Sequence, residues 1–163
     1  MYISARVDYA TRALLVLAAA QDGRAIKGEA VALAQGMPVK VIENTLTDLR
    51  RAGLVTSHRG VDGGYRLARP ASEIAVADVF RALEGPLAEV HGLRPNEREY
   101  EGAAQHLQAV WVGVRAALRS VLESTTLADI VTGSLPEHVA SLIADPDAWT
   151  VRPLGAAARE RRR

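Results

Sequence analysis

The sequence predicts a mainly α-helical chain with one small β-hairpin, followed by one long helix in its second half. Three observations predict it. From Pro38 to Tyr65 a segment of helical apolar period gives way to two short strand-like segments around a glycine turn. Two shorter helix-period segments precede it, Ser4 to about Gln21 and Lys27 to Gln35. From Ala103 to Leu122 apolar residues recur at spacings of three and four.

Composition sets the outer bounds. At 163 residues, 48% hydrophobic and 24% charged, the chain can bury a core for one domain with an extension. It has no cysteine, which excludes disulfides, thiolate ligation of an iron–sulfur cluster and thiol switching. The net charge of +1 hides an asymmetry. Residues 1–70 hold ten Lys/Arg against six Asp/Glu, residues 71–149 five against twelve, and residues 150–163 five against one. A basic front suits a polyanion, and the acidic middle does not. The apolar run Ala13 to Ala20 is short for a signal-peptide core and follows Asp8, and no stretch reaches the length of a membrane span. The expected location is the cytoplasm, with no membrane partner.

Ser4 is placed to cap the first helix, along which Val7, Ala10, Leu14, Leu17 and Ala18 keep helical spacing until Asp22-Gly23 ends it. The second helix has Ala30, Val31, Leu33 and Ala34 as its apolar residues, and Gly36 turns the chain. For the third, Pro38 suits the first turn and Gly53 the position just past the end. On a wheel of about 100° per residue, Val39, Ile42, Leu46 and Leu49 gather on one side and Lys40, Glu43, Asn44, Thr47 and Arg51 on the other. Two short helices joined by Gly36-Met37-Pro38 have helix-turn-helix proportions. Leu54–His58 and Tyr65–Ala68 then form the hairpin, with Arg59 at the edge of its turn. Gly63-Gly64 allow positive φ there, and without a P-loop lysine they are no nucleotide fingerprint. Tyr65 is expected to pack on the domain. Val76 to Glu84 is a fourth helix, stopped by Gly85-Pro86. The outline is a winged helix-turn-helix.

The stretch RRAGLVTSHRGVDGGYRLARP, with VIENTLTDL before it and EIAVADVFRALEG after it, resembles the Rrf-two family of bacterial transcriptional regulators, which includes the IscR and NsrR types. The similarity is close over the first half of the chain. By that resemblance, Lys40, Glu43 and Asn44 fall where family members contact the major groove, and the wing arginine, here Arg59, enters the minor groove. Val61-Asp62 stand where the family often has Pro-Gly. The chemistry of these side chains agrees: Lys donates to guanine, Asn pairs with adenine and Glu accepts from cytosine. An acid facing DNA is unfavourable unless it reads a base, which singles out Glu43. Thr47 completes that face. Arg50 and Arg51 are placed to clamp phosphate or to cap the last carbonyls of the third helix. The resemblance also puts the first helix near the DNA backbone, where Arg6 or Ser4 contacts phosphate or is merely solvated.

Residues 1–85 are read as the DNA-binding domain, 86–102 as a linker, 103–148 as the dimerisation helix with C-terminal helices, and 149–163 as a flexible basic tail ending in Arg159, Arg161, Arg162 and Arg163. Cluster-binding family members place three cysteines near residues 87–102, and none exists here. His91 and His106 have no paired ligand, so neither metal nor cofactor is expected. Leu107, Val110, Trp111, Val114, Leu118, Val121 and Leu122 form a stripe too long for the head to cover alone, so a homodimer is expected, as the resemblance also implies. Thr126 to Thr132 and Pro136 to Ala144 read as short helices that brace the long one or line an effector pocket.

The expected function is sequence-specific binding of double-stranded DNA by a homodimeric repressor at an inverted repeat, without an iron–sulfur cluster. The alternative is a winged helix retained as an interaction module that docks a partner enzyme. No catalytic constellation has a spacing that singles it out, so no enzyme is expected. A small-molecule or protein effector is open.

Overall fold

A computed structural model describes residues 2–20 and 23–151. Asp22, expected to help end the first helix, and the basic tail arginines lie outside the described residues.

Helix α1 (Ala5–Ala18) starts at Ser4, whose Oγ accepts from the Val7 amide at 3.2 Å and donates to the Glu84 carboxylate at 2.6 Å. One hydroxyl thus caps the helix and ties it to the far end of the domain. The helix closes at Ala18, short of the expected Gln21. Its buried side, Val7, Ala10, Ala13, Leu14 and Leu17, is small enough for close approach by the helices that follow. Helix α2 (Gly28–Gln35) buries Val31 and Ala32 and ends on Gly36 at φ +61, while Leu33 is exposed. Arg12 crosses from α1 to the Gln35 carbonyl and side chain, fixing the end of α2.

Helix α3 (Val39–Arg51) has Pro38 just before its first turn and Gly53 at φ +73 just past its last. Ile42, Leu46 and Leu49 are fully buried, whereas Val39 is exposed. Thr45 and Thr47 bond back to the carbonyls of Val41 and Glu43, both at 2.8 Å. Strands β1 (Val55–His58) and β2 (Gly64–Leu67) pair antiparallel, Val55 opposite Leu67 and His58 opposite Gly64. Helix α4 (Val76–Glu84) buries Ala77, Val79, Phe80 and Leu83 and stops at Gly85. These elements close one core, with Leu14, Ile42, Leu46, Leu49, Ile74 and Val79 at its centre. Each such side chain contributes roughly 1.5–3 kcal/mol of burial.

Helix α5 (Leu107–Leu122) begins four residues later than expected, after a 3-10 turn at Gly102–Ala104. None of its residues is fully buried, and Leu107, Leu118, Val121 and Leu122 are half-buried. Helices α6 (Leu127–Thr132) and α7 (Glu137–Ala144) follow. A capping box starts α6, with Thr126 Oγ1 accepting from the Asp129 amide and the Asp129 carboxylate accepting from the Thr126 amide at 2.8 Å. The Thr126 amide, and then the Thr126 hydroxyl at 2.7 Å, hold the Asp129 carboxyl below the usual carboxylate range. Rather than only bracing α5, this corner returns to the head. Val76 N–H donates to the Thr125 carbonyl, Leu127 N–H to the Ile74 carbonyl, and Leu127 is fully buried in the head core.

Candidate nucleic-acid interface

The candidate interface is built outward from the buried side of α3. Because Ile42, Leu46 and Leu49 face inward, the helical period turns Lys40, Glu43, Asn44 and Thr47 outward on the opposite side. Lys40 and Glu43 lie one turn apart with Nζ and carboxylate at 3.6 Å. Both are well exposed, so this pair is weak and can be exchanged for a base contact. Among the described residues no hydrogen bond or ion pair engages Asn44. The Thr47 hydroxyl already bonds its own helix, which leaves its methyl and remaining lone pair outward.

At the C-terminal end of α3, Arg50 Nη1 donates to Ser57 Oγ at 3.2 Å, tying the helix to β1. Arg51 pairs with Asp48 at 3.5 Å. Asp48 also takes Arg6 Nη2 at 2.8 Å, and Arg6 Nη1 donates to the Leu83 carbonyl at 3.0 Å. Arg6 therefore bridges α1, α3 and α4, and Ser4 bridges α1 and α4. Their internal contacts hold α3 against the domain, a role that spacing alone did not reveal.

The wing is held just as firmly. Ile26 and Tyr65 exchange both backbone hydrogen bonds at 2.8 Å, joining β2 to the segment before α2. Gly64, at φ +149, passes so close that a Cβ would stand 2.5 Å from the Ile26 carbonyl. Gly63 is glycine for a different reason from the one read in the sequence. Its φ is not positive, and a Cβ there would stand 2.5 Å from the His58 carbonyl oxygen. Gly60, at φ +113, supplies the turn's unusual backbone instead. Tyr65 packs against the core as expected. Arg59 is exposed beside this turn, with no hydrogen bond or ion pair among the described residues. Ile26, the one large apolar residue between Leu17 and Val31, was the available signal for the wing's anchor.

A helix-turn-helix with a wing stapled beside it is a DNA-reading scaffold. The sequence profile of the Rrf2 family, described as an iron-dependent transcriptional regulator, matches residues 3–133. The chain belongs to the Rrf2 family. A helix-turn-helix-type transcriptional regulator of Mycobacterium tuberculosis, Rv1287, is 49% identical over 145 residues, covering 89% of this chain and 90% of that one. The structure of CymR, the global cysteine regulator of Bacillus subtilis, has a TM-score of 0.70 at 32% identity over 82% of this chain and 98% of that chain. T. potens IscR has a TM-score of 0.65 at 28% identity, covering 94% of each chain. As an Rrf2-family member the chain is a sequence-specific DNA-binding transcriptional regulator, not an enzyme.

The sequence holds no cysteine, and among the described residues no three His, Asp or Glu side chains group as a metal site. In the stretch 87–102, Ala88 and His91 take positive φ and Val90 pairs with Leu93. Among the described residues no helix is long and apolar enough to cross a membrane.

Proposed function

We propose that this regulator acts as a homodimeric repressor, occluding a promoter at an inverted repeat that each protomer reads with α3 and its wing. One observation carries the reading. The outward side of α3 presents an amine, a carboxylate and a carboxamide at consecutive exposed positions, Lys40, Glu43 and Asn44, beside the exposed guanidinium of Arg59. In this reading Lys40, Glu43, Asn44 and Thr47 meet base edges in the major groove and Arg59 enters the minor groove. Arg50 and Arg51 take phosphates, and Arg6, with about half of its side chain exposed (52%), joins Ser4 at the edge of the same surface.

The dimer rests on α5. Val110, Trp111 and Val114 are exposed, and Leu107, Leu118, Val121 and Leu122 are half-buried, an apolar stripe that a second copy would cover. Two-fold symmetry then presents two recognition helices to major-groove turns about 34 Å apart.

Fluorescence anisotropy on duplexes of varied sequence tests this reading. Arg59→Ala should lose affinity mainly where the flank is A·T-rich, and Glu43→Ala should relax base choice, each by roughly 1–3 kcal/mol. With Arg50 and Arg51 of both protomers on phosphates, log K should fall with log salt at a slope of about −3.6. Equal affinity of wild type and both variants for every duplex would overturn the reading. A partner-docking module would show almost no salt response.

A further inference from the structure

Between the end of α4 and the middle of α5 lies a cleft of about 310 Å³ lined by four arginines, Arg81, Arg94, Arg115 and Arg119, and walled by Pro86 and Leu87. Among the described residues no carboxylate lines it. The neighbouring acids are shared and too few. Glu123 accepts from both Arg81 and Arg119, Asp78 is divided between Arg69 and Arg81, and Glu97 lies 3.9 Å from Arg94. Among the described residues Arg115 has only a neutral partner, Asn96 Oδ1 at 3.1 Å, and its buried Nε has no hydrogen bond. An orphaned buried donor and converging like charges are both unfavourable unless an anion completes the site.

We infer that this cleft binds a small multivalent oxyanion, a phosphate ester or a polycarboxylate, as the regulator's effector. Guanidiniums match both classes with paired N–H donors. The cleft, about 310 Å³, is near the lower end of the roughly 300–1,000 Å³ of small-molecule sites. The site also spans the elements an effector must couple. Arg81 belongs to α4 of the head, Arg94 to the loop, and Arg115 and Arg119 to α5. Helix α4 is linked to α3 through Arg6, which bonds the Leu83 carbonyl and Asp48. An anion drawing Arg81 toward Arg115 and Arg119 would select one angle between head and long helix, and so one spacing of the two recognition helices. The effector role rests on the regulator reading above; anion binding itself does not.

The test uses the full chain, with sodium pyrophosphate and sodium citrate as probes at ionic strength matched by NaCl. At about ten times its Kd a probe should raise Tm by roughly 3 °C over the NaCl control. Arg94→Gln/Arg115→Gln should abolish the shift, and Arg59→Gln should retain it. By calorimetry, the milder Arg94→Gln alone should weaken binding about tenfold. Whichever probe binds tighter identifies the phosphate or the carboxylate class. On operator DNA the bound probe should change affinity at least about fivefold in the wild type and not in the double variant.

No stabilisation by either probe, or an equal shift in the double variant, would overturn the site. If the double variant weakens DNA binding and flattens the salt slope without any probe present, the arginines are DNA contacts and the inference fails. Should the chain bind the probe but no DNA, the site stands and the regulator reading is what fails.

Discussion

Replacing Gly64 with alanine would test how the wing is held. A Cβ there would lie 2.5 Å from the carbonyl carbon and oxygen of Ile26 and 2.9 Å from the Lys27 nitrogen. All three are backbone atoms, so no side chain can swing aside. Relief requires opening the two Ile26–Tyr65 hydrogen bonds, each at 2.8 Å, which together contribute about 1–3 kcal/mol. The backbone at φ +149 adds about 1–3 kcal/mol of strain for a residue with a side chain. Gly60 supplies the control, because its φ is +113 but nothing lies within 4 Å of its added Cβ. Urea denaturation should therefore show Gly60→Ala losing the strain term alone and Gly64→Ala losing roughly 2 kcal/mol more. Operator affinity should fall further in Gly64→Ala, since β2 would detach from the segment before α2. Equal losses for the two variants, or a silent Gly64→Ala, would refute the claim that close approach rather than φ fixes this glycine.

Leu127→Ala should cost about 2–5 kcal/mol in denaturation, as a core residue does, while Leu142→Ala on the exposed side of α7 should stay within about 0.5 kcal/mol. Hydrogen bonds from Arg119 and then Arg81 hold the Glu123 carboxyl below its ordinary 4.5. A depressed folded value stabilises the fold above the unfolded value and loses that contribution as pH falls through the folded one. The stability difference between wild type and Glu123→Gln should thus be constant near neutrality and shrink below about pH 4.5 in pH-resolved denaturation. A pH-independent difference would contradict the pairing. Trp111→Glu/Val114→Glu should sediment as a monomer with its far-ultraviolet helical signal retained. A dimer surviving both charges would remove α5 as the interface.

The head was legible in the sequence because each of its elements is set by local rules. Spacing of Ile42, Leu46 and Leu49 fixed which side of α3 is buried, Pro38 and Gly53 bracketed the helix, and the glycines marked the wing. Val39 escaped the rule, for it keeps the period of Ile42 and Leu46 and is exposed all the same. The outward side chains of the candidate interface followed from the same period. Their supports did not, because Arg6–Asp48, Ser4–Glu84 and Ile26–Tyr65 join residues far apart in sequence. The return of Leu127 to the head was hidden for the same reason: a short capped helix after α5 looks the same whether it packs on α5 or on Ile74. The arginine cleft was the least visible, as its members come from α4, the irregular loop and α5, inside a segment whose summed charge is acidic.

Selection of bound fragments from sheared genomic DNA by the purified, metal-free chain at two salt concentrations tests the central claim most directly. The account predicts enrichment of a single inverted repeat, strong at low salt and weaker at high salt, with no iron supplied. Enrichment only after iron is added, or none at either salt, would contradict it.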